Sequence, residues 1–244
     1  MRDGEPPVTA AVRESSGSVI TVGVDQFDPA ALEGAVPWPR ARRGGRGLAG
    51  WDWSSTTGGH VPYPTQTVLA RLVLADHDRS VVGVYARPLR LALDDPGGEP
   101  SMVVPELLLA HTDGSLTAVE VSSPRGSTSS APARPDWADW AALLAGRGWR
   151  YERFTGADPV VLGNVRFVAG FRRRLGIDAG LGDRIVAAAA GLEPCPVRAL
   201  EARVAEAAPR ERVRAHVLHL LWLGRLEVDW AAPLGSSSTV WTPR

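Results

Sequence analysis

Residues 102–123, MVVPELLLAHTDGSLTAVEVSS, decide how this chain is read. Two leucine- and valine-rich runs flank Asp113-Gly114, and both residues of that dipeptide accept the positive φ that a tight turn demands. The stretch therefore predicts two antiparallel strands joined as a hairpin. Each strand carries one carboxylate: Glu106, directly after Pro105, in the first and Glu120 in the second.

Working outward, residues 65–76 (TQTVLARLVLAD) place Val68, Leu69, Leu72, Val73 and Ala75 at helical spacing. SVVGVYARPLRLAL, residues 80–93, reads as a strand followed by the turn-rich loop DDPGGEP. Beyond the hairpin, residues 122–135 are a polar loop. A short amphipathic helix then runs from Asp136, a plausible cap, to Gly146. YERFTGADPVVLGNVRFVAGFRRR adds a strand and a helix carrying Val165, Val168, Ala169 and Phe171. The order is helix, strand, hairpin, helix, strand.

After Gly176 the texture changes to short alanine-rich helices, expected at 181–190, 196–207 and 210–222. RLEVDWAAPLGSSSTVWTP then reads as a terminal hairpin. Three helices followed by a two-stranded wing outline a winged helix-turn-helix. In its last helix, Arg212, Ala215 and His219 share a face opposite Val213, Val217 and Leu220, a polar stripe suited to a DNA groove. His216 and His219 have metal-ligand spacing, but no third ligand stands nearby, so a structural role is preferred. Residues 1–50 read as weakly structured. Their arginine run RARRGGR (40–46) is as consistent with a solvated loop as with a phosphate-contacting arm.

Composition narrows the chemistry. The 244 residues carry 27 basic and 27 acidic side chains, so any nucleic-acid surface must be a local patch. Every basic residue is arginine. Without lysine there is no Walker phosphate loop, Schiff base or lysine-assisted nuclease centre. Cys195 is the only cysteine, which rules out an internal disulfide and a cysteine zinc site and suits a reducing compartment. No apolar run reaches the ~18 residues of a membrane span, and the N-terminal residues lack a signal-type core, so the expectation is a cytoplasmic protein with no membrane contact. The dispersed tryptophans are expected to pack cores or cover hairpins rather than stack on bases.

The element order and the two acids resemble those of a restriction-type nuclease core. There, an acid beside a proline and a second in an acid-x-lysine triplet hold Mg²⁺, which binds the scissile phosphate and activates water. Pro105-Glu106 and Glu120-Val121-Ser122 occupy these places, with Ser122 where lysine is expected. Taken alone, Glu106 and Glu120 are equally ordinary strand carboxylates.

Four segments in order, 59–91 (GHVPYPTQTVLARLVLADHDRSVVGVYARPLRL), 104–124 (VPELLLAHTDGSLTAVEVSSP), 148–173 (GWRYERFTGADPVVLGNVRFVAGFRR) and 219–241 (HLLWLGRLEVDWAAPLGSSSTVW), resemble the TnsA-like endonuclease subunits of heteromeric transposases. The resemblance spans residues 56–241. It implies an α/β (α+β) fold: a restriction-endonuclease-like mixed sheet flanked by helices in residues 51–175, then a winged-helix domain in 176–244. The family's helix glutamates fall on Pro64 and Val68, its Gln-Pro glutamine on Arg87, and its Pro-Asp acid on Glu106; the second acid is kept as Glu120. The implied catalytic set Glu106, Glu120 and Ser122 is thus degenerate, with Mg²⁺, if retained, on the two glutamates. Arg87, Arg125, Arg212 and His219 are the expected DNA contacts. The implied partners are double-stranded DNA, a TnsB-like transposase subunit and an ATPase regulator. An active Mg²⁺-dependent endonuclease and a non-enzymatic winged-helix assembly or regulatory protein are the alternatives.

Overall fold

The computed structural model describes residues 8–39, 48–93, 101–122, 137–173, 178–191 and 195–243. The chain divides into two compact units, 1–156 and 157–244. The first contains strands β1 (Val8–Arg13), β2 (Val19–Gly23), β3 (Gly50–Ser54) and β4 (Gly59–Tyr63), helix α1 (Gln66–His77), β5 (Val81–Ala86), β6 (Leu89–Leu93), β7 (Ser101–Val103), β8 (Leu107–His111), β9 (Leu116–Val121), α2 (Trp137–Ala145) and β10 (Trp149–Phe154). The second contains α3 (Pro159–Ala169), α4 (Ala179–Ala190), β11 (Cys195–Pro196), α5 (Val197–Arg203), α6 (Arg210–Trp222), β12 (Glu227–Val228) and β13 (Thr239–Trp241).

The hairpin at Asp113-Gly114 forms, with positive φ at Gly114 but not at Asp113. Gly114 takes φ 79°, and Asp113 accepts hydrogen bonds from the Ser115 N–H and hydroxyl at 2.9 and 2.6 Å. Those bonds, with the Arg150 guanidinium, lower the exposed Asp113 carboxyl to about 2. The hairpin strands lie at the centre of a mixed sheet ordered β10-β9-β8-β5. β5, β8 and β9 run antiparallel to one another in turn, whereas β10 is parallel to β9 because the crossover through α2 returns the chain in the same direction. Helix α1 starts where the Thr65 hydroxyl accepts the Val68 N–H at 3.2 Å and packs against β5 and β8. On the other face, Trp140 and Leu144 of α2 join Leu108, Leu116, Ala118 and Trp149 in one core.

Several expectations change. Residues 1–50 are not a loose arm throughout: β1 sits inside an antiparallel sheet ordered β2-β1-β6-β7, with Val8, Ala10 and Val12 buried against Leu89 and Leu91. The run 40–46 lies outside the described residues. Residues 80–93 are two strands rather than one, split at Arg87-Pro88, so that β5 belongs to the mixed sheet and β6 to the β1 sheet. Helix α3, expected in the first domain, belongs to the second unit because its buried side, including Val165 and Val168, packs on α6. Buried tryptophans Trp140, Trp149 and Trp222 serve the cores as expected, while Trp51 on β3 is 67% exposed.

A second constraint on the first unit comes from α1. The Asp76 carboxylate is buried and accepts from the Ser54 hydroxyl at 2.8 Å and the Ser55 and Thr56 N–H groups at 3.0 and 2.8 Å, holding the β3–β4 turn to the helix. His77 and His111 are both held below the ordinary histidine value of 6.5, chiefly by burial and next by Arg79 and Arg150 respectively. Below that value the unfolded chain takes up protons the folded chain resists, so stability falls as pH drops through the ordinary value and levels off below the folded ones. The urea midpoint is expected to decrease between about pH 7.5 and about pH 5.5. His111→Gln should shrink that decrease, and an unchanged pH slope would contradict the assignment.

Candidate functional site

The candidate site grows out of the place where the chain crosses between the two sheets of the first unit. β5 leads through Arg87-Pro88 into β6, and β7 leads through Val104-Pro105-Glu106 into β8. These crossovers lie side by side. The Arg87 N–H donates to the Glu106 carbonyl at 3.1 Å, and the Glu106 N–H donates to the Val119 carbonyl at 2.8 Å. That second bond is one residue out of step with the Leu107↔Val119 register, and it ties Glu106, which precedes β8, to the residue before Glu120.

Arg87, expected as a DNA contact, has its side chain engaged within the protein instead. It is 16% exposed, and its guanidinium donates to the Glu106 carboxylate at 3.2 Å, the Trp38 carbonyl at 2.9 Å and the Pro39 carbonyl at 3.2 Å. Trp38 is fixed in turn: its N–H donates to the Arg87 carbonyl, its indole N–H donates to the Ala11 carbonyl at 3.1 Å, and the Arg90 guanidinium lies 4.7 Å from its ring centroid. Arg87 is the one non-glycine residue with positive φ among the described residues, at 47°. Sequence reasoning missed Trp38, because its partners lie 27 and 49 residues away and carry no local signature.

Glu120 alternates with Leu116 and Ala118 along β9 and so shares their face of the sheet. It accepts from the Tyr151 hydroxyl at 2.8 Å. Tyr151 is a further residue the sequence did not single out, since its proximity to Glu120 needs the parallel register Tyr151↔Ala118. Ser122, expected where the resembled family has lysine, accepts from the Arg153 guanidinium at 3.3 Å. Arg125 lies outside the described residues.

This donor set is a poor fit to a resident Mg²⁺. A divalent ion needs carboxylate oxygens turned toward a shared point, whereas Glu106 is ion-paired to Arg87 and Glu120 is bonded to Tyr151. Among the described residues, no group of three His, Cys, Asp or Glu side chains stands together to hold a metal.

In the second unit, α6 does not present the expected polar stripe. His219 is 3% exposed, and its Nδ1–H donates to the Phe171 carbonyl at 2.7 Å, so it is a packed core residue rather than a DNA contact. The apolar spacing missed this because α3 and α4 cover α6 from sides the helical wheel left to solvent. His216 is buried too. Its Nδ1–H donates to the Arg212 carbonyl at 2.7 Å, and its Nε2 accepts the Asp178 N–H at 2.9 Å at the start of α4. Arg212 stays half exposed, 3.8 Å from the Asp178 carboxylate. The segment between β12 and β13 is held down as well: the buried Asn164 side chain of α3 donates to the Trp230 and Ala232 carbonyls at 2.9 and 2.8 Å and accepts the Leu234 N–H at 3.0 Å.

Comparison of the chain with protein-family models gives no match, and comparison with curated proteins gives none. No helix among the described residues is long and apolar enough to cross a membrane.

Glu201 of α5 is the most buried carboxylate among the described residues, with a side chain 1% exposed, and it accepts from Arg210 at 2.7 Å and Arg214 at 2.6 Å on α6. Burial is the largest influence and pushes its pKa up, but the hydrogen bonds and charges of Arg214 and Arg210 together outweigh it and hold the carboxyl low. Replacing both arginines by alanine leaves that charge buried and should cost about 3 kcal/mol or more. Glu201→Met frees two arginines to enter water and should cost less than about 1.5 kcal/mol. Urea denaturation of the three proteins checks the order, and a costlier Glu201→Met would contradict it.

Proposed function

We propose that this chain is a DNA-associated subunit of a transposase-type assembly, resembling the TnsA-like proteins, in which the nuclease-type core has lost efficient metal-dependent cleavage. The observation that carries the loss is the Arg87–Glu106 ion pair: the carboxylate that would bind a metal is bonded to an arginine of the same chain. Two orders support the kinship. With β6 and β7 of the other sheet intervening, helix, strand, hairpin, helix and strand run as α1, β5, β8–β9, α2 and β10; with the short β11 intervening, three helices and a two-stranded hairpin run as α4, α5, α6 and β12–β13. On this reading the first unit is a restriction-endonuclease-like core and the second a winged helix-turn-helix domain. The partners are double-stranded DNA and a TnsB-like transposase subunit, with an ATPase regulator in the same assembly.

Mg²⁺, when held by an intact centre of this kind, polarises the phosphate and activates water. Here Ser122 offers no cation to the developing phosphate charge, and an arginine cannot act as a base. A second reading, a winged-helix module used for protein assembly alone, is favoured by the burial of His219 and the pinned wing. Arg212, with its side chain 53% exposed and only a 3.8 Å contact to Asp178, is the α6 arginine chosen to test phosphate contact.

Incubation with supercoiled plasmid in Mg²⁺ or Mn²⁺ tests the reading. The expected result is retardation of DNA without nicking, with affinity lowered and the salt slope reduced by about one in Arg212→Ala. Robust cleavage abolished by Glu120→Ala would overturn the loss of activity. Absence of DNA binding together with capture of an integrase-type transposase would select the assembly reading.

A further inference from the structure

We infer that β2 is a docking edge for a second copy of this chain, the two β2 strands pairing antiparallel about a two-fold axis at Thr21. The pairing requires neither DNA nor a transposase.

Among the described residues, the first unit holds two four-stranded sheets, and their outer strands differ in how they are guarded. β10 carries Arg150, Glu152 and Arg153, charges that an incoming strand would have to desolvate. β5 is bulged between Val81 and Gly83 and has β4 packed beside it. β7 is only three residues long. β2 has none of these guards. Val19-Ile20-Thr21-Val22-Gly23 is a regular ladder without a charge, a proline or a bulge, and no charged side chain stands between Glu14 and Asp25. An edge of that kind is a template for another strand.

The turn before β2 determines which of its groups face outward. The Glu14 N–H donates to the Ser18 carbonyl at 2.9 Å, and Gly17, at φ 92°, lets the chain reverse there. Antiparallel ladders alternate hydrogen-bonded and non-hydrogen-bonded pairs. The bonded pairs that follow are therefore Val12 with Ile20 and Ala10 with Val22. Val19, Thr21 and Gly23 turn their N–H and C=O groups away from β1, toward a side where no strand lies among the described residues.

Those outward positions are symmetric about Thr21. A two-fold axis there pairs Val19 with Gly23, Thr21 with Thr21 and Gly23 with Val19 of the second copy, and each outward donor meets an acceptor. The side chains suit the same register. Ile20 and Val22 stand opposite Val12 and Ala10 and so lie on the core face of the sheet, yet Ile20 is 42% exposed because the core stops short of it. Across the axis Ile20 meets Val22 of the second copy in a non-hydrogen-bonded pair, where side chains approach most closely, and the apolar face continues from copy to copy. With 27 basic and 27 acidic side chains, no net charge drives the copies apart. The axis consumes both β2 edges, so this contact closes at a dimer.

The test is sedimentation velocity of the full chain without DNA, from about 1 to about 200 μM. Wild type is expected to form a reversible dimer with a dissociation constant on the order of micromolar, the weak class that one strand pair supports. A charge at position 21 faces its own copy, and like charges directly opposite each other disfavour pairing. Thr21→Lys and Thr21→Glu should each weaken the dimer at least about tenfold, and an equal mixture of the two should dimerise again, which misfolded chains would not do. Thr21→Cys should be joined copy to copy by mild oxidation, because the Cα atoms of a bonded antiparallel pair lie about 5.5 Å apart. Val19→Cys is the control: its two copies are offset by about 13 Å along the strands and should not join. The native Cys195 is buried and does not compete. Monomeric wild type at about 200 μM would overturn the inference and leave β2 to a strand of a different protein. A dimer that survives Thr21→Lys, or one joined as readily through Val19→Cys, would overturn it by placing the contact elsewhere or in another register.

Discussion

Two strand crossovers, tied to each other by one arginine and one glutamate, hold the first unit together. The mixed sheet β10-β9-β8-β5 and the antiparallel sheet β2-β1-β6-β7 exchange strands at Arg87-Pro88 and at Pro105-Glu106. Both crossovers contain a proline, which supplies no N–H to a ladder and suits a place where strand pairing changes partner. Neither is left to the backbone alone. The Arg87 N–H and guanidinium both bind Glu106, and the same guanidinium reaches back to Trp38 and Pro39, beyond β2. Charge, hydrogen bonding and sheet geometry thus meet at one place in the fold. A group that builds the fold is hard to spare for catalysis.

The second unit shows the same preference for internal satisfaction over exposed chemistry. Glu201 binds two arginines of α6, His216 joins the start of α4 to α6, His219 donates to the Phe171 carbonyl, and Asn164 fixes the segment between β12 and β13. Polar side chains that look available on a helical wheel become structural once α3 and α4 cover them. What remains for a partner on α6 is its first turn, where Arg212 projects beside Asp178.

Local chemistry made much of the fold legible. The Asp113-Gly114 turn and the helical spacing of residues 65–76 are short-range signals, and a hairpin and α1 appear where they stand. What escaped the sequence is long-range. β1 has a weak pattern of its own and becomes a strand because β6, about eighty residues later, completes its ladder. Arg87 resembles a phosphate contact in the sequence because an arginine beside Pro88 says nothing of carbonyls 48 and 49 residues away. His219 resembles a groove contact because helical spacing gives relative faces, not which neighbours cover them. The hairpin signal puts Glu106 and Glu120 side by side at its strands, but their actual partners, Arg87 and Tyr151, depend on register and on a crossover that periodicity does not encode.

The central claim is that Arg87 and Glu106 act as one unit holding the sheet crossovers. A double-mutant cycle with Arg87→Gln and Glu106→Gln, read as free energy of unfolding in urea, addresses it most directly. A coupling of about 1.5–3 kcal/mol is expected for a partly buried, charge-assisted pair. Additive effects, with a coupling below about 0.5 kcal/mol, would mean that the two side chains are neighbours and not partners, and the account would fail.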